Sequence, residues 1–354
     1  MFQTAQTHAA DWRPLYPLQS QWMELPDGRM HYVDEGPEFG VGGVSDTDWT
    51  QNVGSATELP PPKTLLFVHG NPTWSFHWRR FILALRSRYR SIAPDHLGCG
   101  LSDKPPRLLR LDEHIENLVA LINRLELENI TLVAQDWGGA IGLGAMLRMP
   151  ERFDRIVLFN TGAFPPRYIP WRIRACRLPV LGRLAVQGGG LFSRAALRMT
   201  LARRQRLDPA VAAGYLAPYN SWQNRRAVYG FVRDIPRPRR QVSPKPASES
   251  RRDSATWHTL ADIERGLPTL ADRHALLVWG LRDWCFRPDC LERFVEAWPH
   301  AEVHRLADVG HWVVEDAPDE SLAIVQRFLN KSEEDTQTHG GRGEEQQCGS
   351  GVAE

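Results

Sequence analysis

Short apolar runs alternate with helical patterns along most of this chain, and that alternation predicts the fold. Five apolar positions recur at helical spacing, Ile115, Leu118, Val119, Ile122 and Leu125, behind Asp112 in the place of a capping residue. Such alternation predicts an α/β protein with a mostly parallel, doubly wound sheet. Its ligands should bind beyond the carboxyl ends of the strands. The apolar runs, of the kind buried in a parallel sheet, read TLLFVHG, SIAPD, ITLVAQD, RIVLFN, HALLVWG and AEVHRL.

Interruptions of this alternation divide the chain into segments. Extended runs on either side of Asp27-Gly28 predict a hairpin, a Gly-, Ser-, Thr- and Pro-rich stretch predicts a surface insertion, and a long Arg-rich region without strand patterns predicts helices over the strand ends. A polar, Gly-rich end predicts disorder. The predicted segments are an N-terminal hairpin (1–36), a flexible insertion (37–62), the first core part (63–162), a helical cap (163–267), the second core part (268–331) and a disordered tail (332–354).

Composition narrows the function classes. With 354 residues and 42% hydrophobic content the chain can bury a substantial core. A formal net charge of +1 provides no overall field for nucleic acid, so we expect no nucleic-acid partner. The five Cys are scattered without metal-type spacing, which predicts free thiols and neither a metal nor another cofactor. The N-terminus lacks a signal-peptide pattern, and no stretch reaches the roughly 20 apolar residues of a membrane span, so we expect a cytoplasmic protein.

The run ITLVAQD ends in Asp136, at a strand end followed by a glycine-started helix. Ala134 and Gly138 are the small flanking residues that a nucleophile elbow needs, since this sharp turn presents a nucleophile at the tip of a strand. Ser or Cys usually stands there. A carboxylate is already ionised at neutral pH, so Asp136 can displace a leaving group from carbon without a base and form an ester. We interpret Asp136 as the nucleophile.

Polar side chains also follow other predicted strands, where a parallel sheet gathers its functional groups. Asn71 in HGNPTW offers a backbone N–H and a side-chain amide toward the elbow. Trp137 stands where a backbone N–H joins the oxyanion hole, and its indole is a second donor. Asp283 in WGLRDW and His311 in ADVGHW complete a nucleophile, acid, histidine order. We expect His311 to activate the water that opens the ester and Asp283 to orient it.

Together these fragments resemble the haloalkane dehalogenases of the α/β-hydrolase superfamily, over residues 21–330. The resemblance implies an α/β-hydrolase fold with an inserted cap. It also implies that Asp136 displaces halide, that His311 and Asp283 hydrolyse the ester to a primary alcohol, and that Asn71 and Trp137 clamp the halide. Members of one subgroup carry a Glu after the sixth strand, where this chain reads FNTGAF. An acid at Asp283, after the seventh strand, is similar to the subgroup often called type III.

Other activities remain open beside dehalogenation, which ranks first. Members of that subgroup also resemble β-lactone decarboxylases of bacterial long-chain olefin synthesis, in which the carboxylate opens a strained lactone and carbon dioxide leaves. Epoxide hydrolases share the elbow but need tyrosine hydroxyls from the cap, and a catalytically silent binding module is the remaining class. Four cap tyrosines are available: Tyr168, Tyr215, Tyr219 and Tyr229. Four cap side chains are expected to line the pocket: Trp171, Phe192, Leu216 and Tyr219.

Two further features are the histidines near other strand ends and the arginines of the cap. His69 and His96 also lie near strand ends, but neither occupies the third triad position. The cap is rich in arginine, which ordinarily indicates a solvated face and otherwise favours an acidic partner protein or acyl carrier. We expect a small apolar substrate, and the sequence leaves open a homo-oligomer or a biosynthetic complex. The arginines are Arg194, Arg198, Arg203, Arg204, Arg206, Arg237, Arg239 and Arg240.

Overall fold

An eight-stranded sheet forms the centre of the computed structural model, which describes residues 10–37, 63–203, 206–238 and 251–340. Strand order is β1-β2-β4-β3-β5-β6-β7-β8, and every pair from β4 onward in that order is parallel. The first two strands form the predicted hairpin at the antiparallel edge. The strands are β1 (Ser20–Leu25), β2 (Gly28–Glu35), β3 (Thr64–Val68), β4 (Arg90–Pro94), β5 (Ile130–Asp136), β6 (Phe153–Thr161), β7 (His274–Gly280) and β8 (Glu302–Leu306).

Helices cover both faces of the sheet, because the central strands are apolar on both sides. Leu66 and Val68 of β3 belong to one core cluster, and Leu65 and Phe67 belong to the other. The α/β-hydrolase fold predicted from the sequence is confirmed. The helices of the core are α1 (Arg79–Leu85), α2 (Leu111–Arg124), α3 (Trp137–Arg148), α9 (Arg251–Gly266), α10 (Pro288–Ala297), α11 (Val313–Asp316) and α12 (Pro318–Gly340).

Between Thr161 and His274 the described residues contain helices and no strand. The helices preceding α9 form the cap, while α9 itself packs on α2 and α3, with Leu260 and Ile263 in the core cluster beneath the sheet. The predicted cap segment 163–267 therefore includes one helix that packs with the core layer. The cap helices are α4 (Trp171–Cys176), α5 (Leu181–Arg183), the π-helical turn Leu184–Gly188, α6 (Leu191–Met199), α7 (Pro209–Leu216) and α8 (Arg226–Asp234).

The cap is tied to the core at the start of α2. Glu113 accepts a hydrogen bond from the Arg110 backbone N–H at 2.9 Å, and Asp234 at the end of α8 accepts one from the Leu111 N–H, also at 2.9 Å. The expectation that Asp112 caps this helix is wrong, since carboxylates of other residues already satisfy these N–H groups and Asp112 lies inside the first turn.

The predicted insertion and the predicted tail fall only in small part within the described residues. Residues 38–62 of the predicted insertion and 341–354 of the predicted tail lie outside the described residues. Helix α12 continues to Gly340, so residues 332–340 are helical where disorder was expected. The lack of apolar residues at helical spacing shows only that this stretch has no helix face to bury. A helix whose earlier turns pack on the core can still continue through polar residues. Across the described ranges, no helix combines the length and apolar character needed to cross a bilayer.

Candidate active site

Asp136 sits at the tip of β5 in a backbone conformation that L-residues rarely adopt, with φ of 52° and ψ of −129°. Helix α3 begins at the next residue, so the side chain projects from a sharp strand-to-helix turn. The turn is tightly enclosed. A Cβ on Gly138 would lie 2.1 Å from the Val68 carbonyl oxygen, and one on Gly70 would lie 2.3 Å from Asp136 Cβ. Only glycine fits at either place without displacement of the backbone or the nucleophile.

The structure brings His311 and Asp283 to Asp136 in one chain of contacts. His311 Nδ1 lies 2.7 Å from Asp283 Oδ2, and His311 Nε2 lies 3.5 Å from Asp136 Oδ2. Asp283 follows β7 and His311 follows β8, so both side chains reach the site from the carboxyl ends of neighbouring strands. His311 and Asp283 are buried, with 6% and 3% exposed surface. This arrangement can support nucleophilic attack followed by proton transfer.

Asn160 holds the Asp283 side chain in place, an interaction that the sequence did not reveal. Its Nδ2 donates to Asp283 Oδ2 at 3.0 Å and to the Gly280 carbonyl at 3.0 Å, while its Oδ1 accepts from the Gly280 N–H at 2.7 Å. The Cys285 backbone N–H donates to the other Asp283 oxygen at 2.6 Å. Asn160 stands near the end of β6, so the strand-end rule that found the other residues could have found it.

Asn71 and Trp137 both line the cavity beside Asp136. The Asn71 backbone N–H donates to Asp136 Oδ1 at 2.7 Å, and the Asn71 side-chain amide donates to the Val228 carbonyl at 3.3 Å. Asn71 Oδ1 is buried without a partner among the described residues. The Trp137 ring packs against Phe231, with 5.3 Å between ring centroids. One contact with helix α8 therefore positions the Asn71 amide beside Asp136.

His311 carries a raised pKa in this setting. Burial by itself lowers the pKa of an imidazole, but the Asp283 and Asp136 carboxylates outweigh burial and raise the pKa of His311 to about 10. The Phe286 ring stacks beside the imidazole at 5.6 Å and 23°. At neutral pH His311 is therefore an imidazolium paired with two carboxylates. It becomes a base only when one of those charges is removed.

A cavity of about 480 Å³ extends from Asp136 between the core and the cap. Trp171 and Phe192 line it as expected, but Leu216 and Tyr219 do not, so that part of the expectation is wrong. Tyr219 turns toward the core, where its hydroxyl donates to the Thr73 carbonyl at 2.8 Å. Most of the lining is apolar, and its members include Pro72, Ala140, Phe164, Ile169, Ile173, Leu191, Ala196, Val232, Leu260 and Phe286.

The cap tyrosines do not converge on Asp136. The Tyr215 hydroxyl donates to Glu315 at 2.7 Å in a fully buried position, and Tyr219 bonds Thr73. Tyr229 lines a different, smaller pocket. Of the four, only Tyr168 lines the main cavity, and the Arg287 guanidinium lies 4.6 Å from its ring centroid.

The two other strand-end histidines hold the loops together. His96 donates its backbone N–H to His69 Nε2 at 3.0 Å, and His69 Nδ1 lies 2.8 Å from the Gly70 carbonyl. Burial lowers the pKa of both imidazoles, so both are neutral. Neither lines the cavity at Asp136. Over the described residues, no group of three or more His, Cys, Asp or Glu side chains could hold a metal ion.

Comparison with known proteins assigns the family. Residues 63–318 match the family described as the α/β hydrolase fold. The chain belongs to the α/β-hydrolase fold family. This α/β-hydrolase is 35% identical to cis-3-alkyl-4-alkyloxetan-2-one decarboxylase of Shewanella oneidensis, over 90% of this chain and 91% of the relative. It is 31% identical to haloalkane dehalogenase 2 of Mycobacterium tuberculosis, over 89% of this chain and 96% of the relative.

Solved structures give the same fold. The crystal structure of the haloalkane dehalogenase DatA from Agrobacterium tumefaciens matches with a TM-score of 0.71 at 22% identity, covering 88% of this chain and 96% of that one. The resemblance to haloalkane dehalogenases and to β-lactone decarboxylases is confirmed, and the chain is an α/β-hydrolase enzyme.

Proposed function

We propose that this enzyme decarboxylates β-lactones, specifically oxetan-2-ones that carry two alkyl chains, and releases alkenes. The observation that carries the proposal is the Asp136 carboxylate at the floor of a mostly apolar cavity of about 480 Å³. The relative named for this reaction is 35% identical, against 31% for the relative named a haloalkane dehalogenase. That difference supports placing β-lactone decarboxylation before dehalogenation, whereas the sequence alone ranked dehalogenation first.

Asp136 would attack C4 of the oxetan-2-one, the alkyl-bearing ring carbon that is bonded to the ring oxygen, and not the carbonyl carbon. The carbon–oxygen bond of the ring breaks, the ring oxygen leaves as part of a new carboxylate, and the substrate becomes an ester of Asp136. The new carboxylate then loses carbon dioxide. Its carbon–carbon bond supplies the electron pair for the alkene, and the ester bond to Asp136 breaks. Lactone becomes alkene and carbon dioxide, and Asp136 is restored without water.

The surrounding groups suit charges that develop in this sequence. His311 Nε2 lies 3.5 Å from Asp136 Oδ2, so the imidazolium would pair with the Asp136 carboxylate before attack and again after the ester has broken down. Asn71 and Trp137 carry side-chain N–H groups and line the cavity beside the nucleophile, where they could bind the carboxylate released from the ring. Apolar side chains over the rest of the cavity would accommodate the alkyl chains.

A substrate comparison tests the proposal. The purified enzyme is given a cis-3,4-dialkyl oxetan-2-one with long chains, 1,2-dibromoethane and styrene oxide in parallel. We expect alkene and carbon dioxide in equal amounts from the lactone, at the highest kcat/KM of the three. Asp136→Ala should lower that rate by at least about 10³-fold, whereas the exposed control Asp262→Asn should retain it. Faster bromide or diol production would contradict the proposal.

Dehalogenation is the second candidate, because Asn71 and Trp137 both line the cavity beside Asp136 and carry side-chain N–H groups, one N–H of the Asn71 amide being on the Val228 carbonyl. In that reaction water must open the ester. Esterification of Asp136 removes one of the charges that raise the pKa of His311, so it would turn the imidazole into the required base. His311→Phe should then accumulate an Asp136 ester from a haloalkane, seen as a mass increase of the Asp136 peptide. In ¹⁸O-water, repeated dehalogenation should label Asp136, and lactone turnover should leave it unlabelled.

The epoxide hydrolase alternative has less support. Opening an epoxide requires a proton donor for the departing oxygen. Of the four tyrosines considered, Tyr215 and Tyr219 are bonded elsewhere and only Tyr168 lines the cavity. Slow turnover of styrene oxide in the same comparison is the expected result.

A further inference from the structure

Large apolar side chains are exposed on one part of the cap. Val180, Leu181 and Trp171 expose 68%, 69% and 68% of their surface. They lie on α4, α5 and the segment between them, and α5 and α6 each contact the π-helical turn, so the elements that carry the exposed side chains are neighbours. We call this region the cap patch, and its apolar members are Trp171, Leu178, Val180, Leu181, Leu184 and Leu191.

Along the segment of the chain that carries the cap patch, the charged side chains are all arginines. Residues 155–207 contain no Asp, Glu or Lys, and ten Arg occur between positions 167 and 206. Arg174 on α4 and Arg198 on α6 are among those exposed. The whole chain carries a net charge of only +1, so this segment is far more positive than the rest of the sequence, although Arg203 near its end pairs with Asp308 and Glu320. A surface of exposed Trp, Leu and Val among arginines is typical of segments that lie on membranes, with the apolar groups inserted and the cations among headgroups.

The cap patch also adjoins the entrance to the cavity. Trp171 and Leu191 line the cavity and are at the same time 68% and 58% exposed. An apolar compound dissolved in a lipid layer would therefore meet the cavity entrance without crossing water.

We propose that the cap patch docks onto an anionic lipid surface. The apolar side chains would enter the headgroup region, and the arginines would face lipid phosphates, each contributing to binding through the negative surface potential. A second copy of this chain fits less well, because a twofold contact would place two arginine-rich segments against each other. An acidic protein would satisfy the charges but offers no reason for exposed Trp and Leu beside a cavity entrance.

Vesicle flotation of the full chain tests this docking, independently of any catalytic activity. We expect binding to vesicles of phosphatidylcholine with about one third phosphatidylglycerol, little binding to phosphatidylcholine alone, and release as salt is raised. Arg174→Gln combined with Arg198→Gln should weaken binding on the order of 20-fold, at roughly fivefold for each arginine. Val180→Ser combined with Leu181→Ser should weaken it similarly. These four residues do not line the cavity, so turnover of a water-soluble substrate should not change.

Matched controls separate the patch from general charge. Arg124→Gln combined with Arg148→Gln removes two exposed arginines from α2 and α3, outside the cap, and should leave vesicle binding intact. Equal binding to both vesicle types, no binding to either, or equal losses in patch and control variants would overturn the proposal. Self-association that the patch variants abolish, without vesicle binding, would assign the surface to a second copy. Salt-sensitive capture by an acidic protein in place of vesicles would overturn it as well.

Discussion

Asp136 keeps an unfavourable backbone conformation because its neighbours leave it no other. Positive φ in a non-glycine residue costs on the order of 1–3 kcal/mol and persists only where the surrounding structure holds it. Here the Thr161 hydroxyl donates to the Asp136 carbonyl, and the Asn71 N–H binds one carboxylate oxygen. The other oxygen faces His311. The strained turn therefore holds the Asp136 carboxyl group at the cavity.

His311 should titrate far above the ordinary range, and the nucleophile should be one of the causes. We expect its imidazole pKa near 10 in the free enzyme and a clearly lower pKa in Asp136→Asn, since that change removes one of the two carboxylates that raise it. Measurement is by NMR of ¹⁵N-labelled histidine across a pH series. His300, an exposed histidine on the surface, serves as the internal control. An unchanged His311 pKa in Asp136→Asn would contradict the coupling.

The raised pKa of His311 also makes the stability of the fold depend on pH. A histidine whose pKa is higher in the folded than in the unfolded protein stabilises the fold fully below its unfolded pKa of about 6.5. That contribution is lost as pH rises through the folded pKa of about 10. Denaturant titrations from pH 6 to pH 10 should therefore show a decline in unfolding free energy that is smaller in His311→Gln.

Sequence reasoning located residues that stand at strand ends and missed those whose position depends on two loops meeting. Asp136, Asp283 and His311 each follow a predicted strand, and parallel strands bring their carboxyl ends to one edge. Asn160 also stands at a strand end, but its partner oxygen belongs to a loop after the next strand. The direction of Tyr219 toward Thr73 depends on cap packing, which no local pattern encodes.

At the scale of elements, the sharp turn between β5 and α3 requires α3 to approach β3 closely at Gly138. We expect Gly138→Ala to destabilise the protein by about 1–3 kcal/mol, since the added Cβ would lie 2.1 Å from the Val68 carbonyl oxygen. Activity should fall with it, because relief of the clash must move the turn that carries Asp136. Denaturant unfolding and turnover are the measurements.

Gly188→Ala provides the matched control for that substitution. Both variants reduce the freedom of the unfolded chain equally, but the nearest atom to a Cβ on Gly188 is 3.7 Å away, on Trp222. Its stability should stay within about 0.5 kcal/mol of the wild type. Equal stability of the two variants would show that the close approach of α3 is not rigid.

The spacing of apolar residues predicted which segments are strands and which are helices. It did not predict whether a given helix packs on the core or in the cap. All six apolar runs became strands of one sheet. The region after β6 was correctly expected to be helical, yet α9 packs on α2 and α3 of the core and meets the cap at α8, where the Thr256 hydroxyl donates to Asp234 Oδ1 at 2.8 Å. An apolar stripe specifies that a helix face is buried but not which surface buries it.

For the whole molecule, the active site depends on how the cap rests on the core, and a buried ion pair lies at that junction. Arg79 Nη1 donates to Glu315 Oε1 at 2.5 Å, joining α1 to α11. The Tyr215 hydroxyl from cap helix α7 donates to the same oxygen at 2.7 Å. Arg79 and Glu315 expose only 4% and 5% of their surface. The cap is thus anchored to a charged pair four residues beyond His311.

Removal of one charge from this pair should harm the protein more than removal of both. Glu315→Leu leaves a buried, uncompensated guanidinium and removes the acceptor of the Tyr215 hydroxyl, which then keeps only its 2.7 Å contact with His77 Nδ1. The change should cost about 3–5 kcal/mol of unfolding free energy. Arg79→Met combined with Glu315→Leu replaces the pair by apolar groups of similar size and should recover much of that loss. Denaturant unfolding of the single and double variants measures the coupling. Because the cap covers the cavity, kcat/KM should follow the same order, and simple additivity of the two losses would show that the junction does not depend on the pairing of these charges.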